Sequence, residues 1–329
     1  MTNTCNFCRA RFWPKERINC CYSGSLLIAE DEIPEQLQRA ILAPAVRADI
    51  RMYNMAMAMA STGHENKSLI DGTFVMGGKS YHRVGCLVPQ GGRAHSFAQI
   101  YMLDTVDATA RRLEIFHGRL KADVLASLHE LMLQHNPCVS QFRQAADSHV
   151  PELVWSSEDD IAGMQIGAIV SAPGRSRAIV IRRMSDDEHH LTFISDSHQL
   201  YHTLTYPLLF PTGSPGWHSD MLRFDSEMEP KRVSLTDFMR FKLMHRDVPS
   251  HVQKCERLAL EYYCDAWAQV EARLASFHKQ PNQQARYRMG RKCAVDDQLN
   301  MEGGDMTDVS VPMILPSSFV GSSKWYHMV

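Results

Sequence analysis

Apolar residues recur at three- and four-residue steps in several stretches of the chain, with short apolar runs between them. Leu120, Val124, Leu128, Leu131 and Met132 predict a helix from Leu120 to His135. Asn136-Pro137 ends it, because proline disfavours helical geometry in the residue before it. Shorter helices are predicted over Pro34–Leu42 and Val46–Ala60. Late in the chain Ser234 and Asp237 resemble a capping box, with Asp where Glu or Gln is usual, ahead of Phe238, Met239, Phe241 and Met244. A longer helix is predicted from about Gln253 to Lys279, ended by Pro281. Its stripe of Cys255, Ala259, Tyr262, Ala266, Val270, Leu274 and Phe277 reads as core packing.

Between these helices the signal turns to strands. Thr73–Met76 and Ser80–Val84 flank Gly77-Gly78, a hairpin signal because both glycines can take positive φ. The polar stretch Ser61–Gly72 before it reads as a linker or loop, and Phe97–Leu103 as a further strand. Arg177–Ile181 and Leu191–Ile194 bracket the polar turn Asp186-Asp187-Glu188. Tyr206–Pro211 is apolar but twice interrupted by proline, which suits an edge or a buried loop. With no repeat at a period of about 20–50 residues, solenoids and propellers are set aside. The expected class is α+β: a mixed, β-rich centre, a helical C-terminal third and a small Cys-rich N-terminal unit. The expected division is a Cys-rich unit over 1–25, a helical linker region over 26–72 and the main domain over 73–329.

Composition narrows the class. The 329 residues are 44% hydrophobic and 22% charged with a net charge of −2, which excludes a disordered tail, a collagen or a coiled coil. No stretch approaches the roughly 18–20 apolar residues of a membrane helix, and no apolar core follows a basic start, so neither membrane insertion nor secretion is expected. In the reducing compartment this implies, thiols stay free or bind metal. Five of the nine cysteines are scattered and read as small buried hydrophobes.

The other four carry the first candidate chemistry. Cys5-x-x-Cys8 brings two thiolates to one ion from a tight turn, and Cys20-Cys21 follows eleven residues later. Four thiolates complete a tetrahedral structural zinc site. The adjacent second pair is the weak point, since neighbouring side chains diverge; the alternative to a four-cysteine site is that one of the two binds while water or a residue from elsewhere takes the fourth place. Arg9, Arg11, Lys15 and Arg17 against Glu16 give the unit a local charge of +3. With Phe12 and Trp13 among them, they suit phosphate contact and base stacking. A second basic stretch lies between Ala272 and Val295, where Arg273, Lys279, Arg286, Arg288, Arg291 and Lys292 stand without an acidic residue. It reads as a solvated basic face or as a track for a phosphate backbone.

Other motifs lead nowhere. Gly72 and Gly78 are separated by five residues where a phosphate-binding loop has four, and their flanks read strand–turn–strand, so no nucleotide site is expected. Asp186–His190 holds metal-ligand residue types, but five consecutive residues cannot all face one ion, and it reads as a solvated turn. No catalytic centre is assigned.

Several ordered segments resemble one family. Tyr81–Pro89, Phe97–Asp104, Asn136-Pro137-x-Val139-x-x-Phe142-Arg143 and Arg177–Ile181 are similar to segments of the Helitron helicase-like N-terminal domain. So are Tyr206-Pro207-Leu208-Leu209-Phe210-Pro211-x-Gly213, the following Gly216-Trp217-His218, and Ile314–Ser322. The matches span about residues 51 to 325 in family order, and the Cys-rich start resembles a unit that often precedes this domain. Thr203–Thr205 departs from the family's Asp-Pro-Leu-Gln type of lead-in.

The resemblance implies a nuclear protein of a rolling-circle DNA transposon that contacts single-stranded DNA. It further implies that this region leads into a DNA-nicking core and a 5′-to-3′ helicase. Such a core uses paired histidines to hold a divalent ion on the scissile phosphate and tyrosines as nucleophiles. Those residues lie outside the matched segments, so the expectation is a binding and scaffolding piece ending before the core. The alternatives are the front of an active nicking transposase completed by further sequence, and a relic. Leu315–Phe319 and Trp325-Tyr326 are then expected to expose apolar surface.

Overall fold

The computed structural model describes residues 3–14, 19–70, 73–89, 92–148, 152–155, 179–182, 191–195, 198–224 and 229–283. The chain divides into two compact units, Met1–Ala266 and Trp267–Val329. Helices with small antiparallel sheets make the fold α+β.

In the first unit the short strands β1 (Asn3–Thr4) and β2 (Arg11–Phe12) pair antiparallel, and helices α1 (Glu35–Ile41), α2 (Pro44–Ala48) and α3 (Ile50–Met57) follow. The single helix expected over Val46–Ala60 is interrupted at Asp49, whose φ of −124° and ψ of 32° are not helical. The stretch read as a linker is instead strand β3 (Ser61–Ile70), paired with β4 (Thr73–Gly85). The hairpin expected at Gly77-Gly78 is not formed: Gly77 lies within β4 opposite Asn66, and the β3–β4 pairing runs on to Ile70 opposite Thr73. The polar composition of 61–70 hid a strand that gains its hydrogen bonds from β4. Strand β7 (Leu191–Ile194) pairs with the other edge of β4, while β5 (Glu152–Trp155) pairs with β6 (Ile179–Arg182). The two strands read as flanking one turn therefore belong to different sheets, and that turn lies outside the described residues.

Phe97–Leu103 is not a strand. A 3-10 helix runs over Phe97–Met102, closed by reciprocal capping between Ser96 and Gln99. It buries Ala98, Ile100 and Tyr101, whose hydroxyl donates to the Met57 carbonyl at 2.7 Å. Helix α4 (Thr105–Ile115) follows, with the Asp104 side chain accepting from the Asp107 amide. Periodicity does not reveal α4, because its buried face is Ala108, Thr109 and Arg112. The Arg112 guanidinium donates to the Ala56 carbonyl and to His129 Nδ1, and it lies over the Tyr101 ring.

Helix α5 (Ala122–His135) buries Leu128, Leu131 and Met132 of the predicted stripe; Leu125 is buried where the stripe placed Val124, which is half-buried. Asn136 ends α5 and also opens α6 (Pro137–Asp147): its Oδ1 accepts from the Cys138 amide at 3.0 Å, and proline fits the first helical position. Helix α5 packs on α4 and α6, and α4 and α6 both pack on the 3-10 helix.

The proline-interrupted block is a buried loop. Buried backbone needs partners, and Asn54 and His251 supply them. Asn54 Nδ2 donates to the Thr205 carbonyl at 3.0 Å and its Oδ1 accepts from the Leu208 amide at 3.3 Å, while His251 Nε2 lies 2.8 Å from the Leu208 carbonyl. Gly213 closes the loop at a φ of +72°, with an added Cβ only 3.2 Å from Asn136 Oδ1 and Pro137 Cδ. Gly213→Ala is therefore expected to cost about 1–3 kcal/mol through backbone strain and crowding, read as a lower urea midpoint; an unchanged midpoint would contradict the assigned backbone.

The short strands β8 (Leu222–Arg223) and β9 (Lys231–Arg232) pair before helix α7 (Leu235–Leu243), where the Ser234 hydroxyl accepts from the Asp237 amide at 3.1 Å. The predicted late helix is two: α8 (His251–Lys254) and α9 (Arg257–Lys279), parted where Glu256 takes a φ of +43° and pairs with Arg47 of α2. Cys255, Ala259, Tyr262, Ala266 and Val270 of the stripe are buried; Leu274 and Phe277, in the second unit, are exposed.

Candidate metal centre

Cys5, Cys8, Cys20 and Cys21 come together, with all four sulfurs within 4.8 Å of one another. Cys5 and Cys8 are brought round by the β1–β2 turn, in which the Cys5 amide donates to the Ala10 carbonyl and the Arg9 amide to the Cys5 carbonyl at 3.0 Å. Arg9 takes a left-handed φ of 59° to close that turn. On the other side Tyr22, Ser23 and Gly24 all have positive φ, and the Gly24 and Leu26 amides both donate to the Cys21 carbonyl.

All four nominated cysteines converge, and the alternative in which only one of the adjacent pair reaches the site does not match this geometry. Neighbouring side chains diverge in extended backbone, but Cys21 has φ −146° and ψ 16°, and the Cys20 and Cys21 sulfurs are 4.0 Å apart. The Cys8–Cys20 and Cys5–Cys21 sulfur distances are 3.5 and 3.6 Å. Zinc–sulfur bonds of about 2.3 Å in a tetrahedron put sulfurs about 3.8 Å apart. The four thiols are thus placed so that they could hold a metal ion.

Their protonation fits the same reading. Burial and the neighbouring thiols push Cys20 up, and burial with the Cys5 thiol pushes Cys21 up to about 11. At Cys5 burial also pushes upward, but the Cys8 and Phe7 amides and the Cys20 and Cys21 thiols outweigh it, and the thiol is pulled down to about 7. Four crowded thiols cannot all ionise unaided; a cation between them removes that cost, and binding then releases protons.

The nominated basic residues are distributed unevenly. The Arg11 guanidinium grips Asp247, with Nε 2.6 Å from Oδ1, and Arg9 Nη2 is 3.7 Å from Oδ2 of the same carboxylate. Arg9 keeps 66% of its side chain exposed. Lys15 and Arg17 lie outside the described residues. Arg273 is on α9 in the second unit and Lys279 ends that helix, while Arg286, Arg288, Arg291 and Lys292 lie outside the described residues, as does the apolar stretch over 315–326. Sequence reading passed over Phe7, which is 59% exposed; Trp13, also in this unit, is 55% exposed. It also passed over Arg246 and Asp247, which meet the Cys unit from more than 200 residues away and leave no local signal.

A second cluster of titratable groups lies elsewhere in the first unit. Asp265 Oδ2 lies 2.9 Å from His82 Nε2, 3.3 Å from the Tyr206 hydroxyl and 3.8 Å from His202 Nε2. His82 stacks on Tyr201 with ring centroids 3.9 Å apart, and the Thr205 hydroxyl lies 3.0 Å from its Nδ1. His82, His202, Tyr206 and Asp265 are between 0 and 9% exposed, so this network is part of the core.

Among the described residues no helix is long and apolar enough to cross a membrane. No protein-family model matches the chain, and no curated protein matches it either.

Proposed function

We propose that the chain is the N-terminal region of a Helitron-type rolling-circle replication protein, acting as a DNA-binding and scaffolding piece around a structural zinc site. Cys5, Cys8, Cys20 and Cys21 hold the ion, which orders the unit and takes no part in chemistry. The observation that carries the DNA reading is that the Cys-rich unit leaves two aromatic side chains, Phe7 and Trp13, and the Arg9 side chain exposed. Exposed aromatic rings and a cation on one small unit suit unpaired bases, which stack on aromatics while the backbone is held electrostatically. The strand held there is presented to the nicking and helicase domains of the intact nuclear protein. The chain itself performs neither reaction.

The test is fluorescence anisotropy with a labelled single-stranded oligonucleotide and its duplex over a salt series, on protein of measured zinc content. One zinc per chain, preference for the single strand and affinity falling with salt are expected. Phe7→Ala and Trp13→Ala should each cost about 1–3 kcal/mol of binding. Equal affinity for duplex, or alanine variants that bind as well as the parent, would remove the proposed face.

A further inference from the structure

We propose that Arg246 is an outer-sphere residue of the four-cysteine centre and that, through it, metal occupancy controls the order of helix α7 and the loop after it. The inference rests on the metal reading above and goes beyond it, because it assigns the centre a partner within the chain.

The Cys-rich unit grips both ends of α7. At the N-terminal end the Tyr22 hydroxyl donates to Asp237 Oδ1 at 2.7 Å, and Asp237 also accepts from Arg240 and from the capping Ser234 hydroxyl. At the C-terminal end one guanidinium collects three carbonyls. Arg246 donates to Cys8 at 3.0 Å, to Phe241 at 2.8 Å and to Met244 at 3.2 Å, and it lies 4.4 Å from the Phe241 ring centroid. Helix C-termini leave carbonyls without intrahelical partners, and Arg246 joins such a carbonyl to that of a metal-binding cysteine. The Arg11 amide adds a bond to the His245 carbonyl at 2.8 Å.

Each grip starts in a loop that the sulfurs hold in shape. Cys8 lies in the first metal loop, and Tyr22 directly follows Cys21 in the second. Both loops contain left-handed residues, Arg9 in one and Tyr22 and Ser23 in the other, that unconstrained chain disfavours. Losing the ion frees those residues and with them both grips. The electrostatics act in the same direction: a divalent ion with four thiolates keeps an excess of negative charge, and the Arg246 guanidinium stands at the carbonyl of one ligand. Outer-sphere partners of this kind typically change metal affinity about 10–100-fold when removed.

The experiment uses the full chain in two arms. In the first, backbone hydrogen exchange is compared with zinc bound and after chelation. Amides of Leu235–Leu243 should exchange at least about tenfold faster without metal, while those of α5, which packs on α4 and α6, stay unchanged. In the second, Arg246→Met keeps the stem against Phe241 and removes the donors. Its zinc affinity, measured by chelator competition, should fall about 10–100-fold, while its cobalt spectrum remains that of a tetrahedral thiolate site. Zinc binding with α7 exchange indifferent to metal, or unchanged affinity in a folded Arg246→Met, overturns the coupling and leaves the metal reading intact. A chain that takes up no metal overturns both.

Discussion

Asp265→Ala is expected to cost the fold about 3–5 kcal/mol, the loss seen when one partner of a buried charged network is removed. The reason lies in what converges on that carboxylate. His82 Nε2 stands 2.9 Å away and the Tyr206 hydroxyl donates to it at 3.3 Å, with His202 at 3.8 Å. Alanine leaves two buried imidazoles and a buried phenol facing a cavity without the acceptor they share, and each unsatisfied group carries its own desolvation penalty. Asp265→Asn keeps an acceptor for Tyr206 and a similar shape, and should cost clearly less. Urea unfolding of the three proteins at pH 7.5 decides the matter. Should alanine and asparagine both lose under about 1 kcal/mol, the network adds nothing to stability and another explanation is needed for a carboxylate in the core.

That network also shows why sequence reading recovered the frame of this molecule better than its centre. The stripe of α5 and the Ser234 cap of α7 are local signals, and both elements appear where the pattern puts them. The four cysteines were legible too, because residue type and spacing alone suggest a metal. What failed was decided at long range. Helix α4 hides because Arg112 occupies its buried face, satisfied by the Ala56 carbonyl and by His129. Ser61–Ile70 looks like loop because its partner is β4, not an alternation of its own. His82 meets Asp265 across 183 positions of chain, and Arg246 meets Cys8 across 238. A composition scan sees only an isolated histidine and an isolated arginine at such positions. The proline-interrupted block is the intermediate case: its prolines left an edge or a buried loop open, and only the tertiary fold shows a loop with Asn54 and His251 serving its backbone.

The largest environmental effect expected is acid lability, and two buried histidines set its range. Burial pushes His202 down to about 4; nearby His82 adds to this and Asp265 opposes it. Burial pushes His129 down to about 3, helped by Arg112 and Arg143 and opposed by Asp104. Arg112 can only donate, so His129 Nδ1 is the acceptor in their 3.0 Å contact and the ring is held neutral. In the unfolded chain both rings titrate near pH 6.5. Between the folded and unfolded values the unfolded chain binds more protons, so the contribution is complete above about pH 6.5 and is lost as pH falls. At up to about 1.4 kcal/mol per pH unit and per group, with the unfolded rings half protonated at pH 6.5, moving from pH 6.5 to 5 removes roughly 3 kcal/mol from the two together. His202 stops contributing to the slope near pH 4, while His129 continues toward pH 3. Urea midpoints at pH 7.5, 6.5 and 5 give the slope. His202→Phe, which keeps an aromatic ring against Tyr201 and Tyr262, and His129→Gln, which keeps an acceptor for Arg112, should each remove about half of it. A midpoint indifferent to pH over this range would mean that these rings are protonated without cost, and hence more open to water than the packing around them allows.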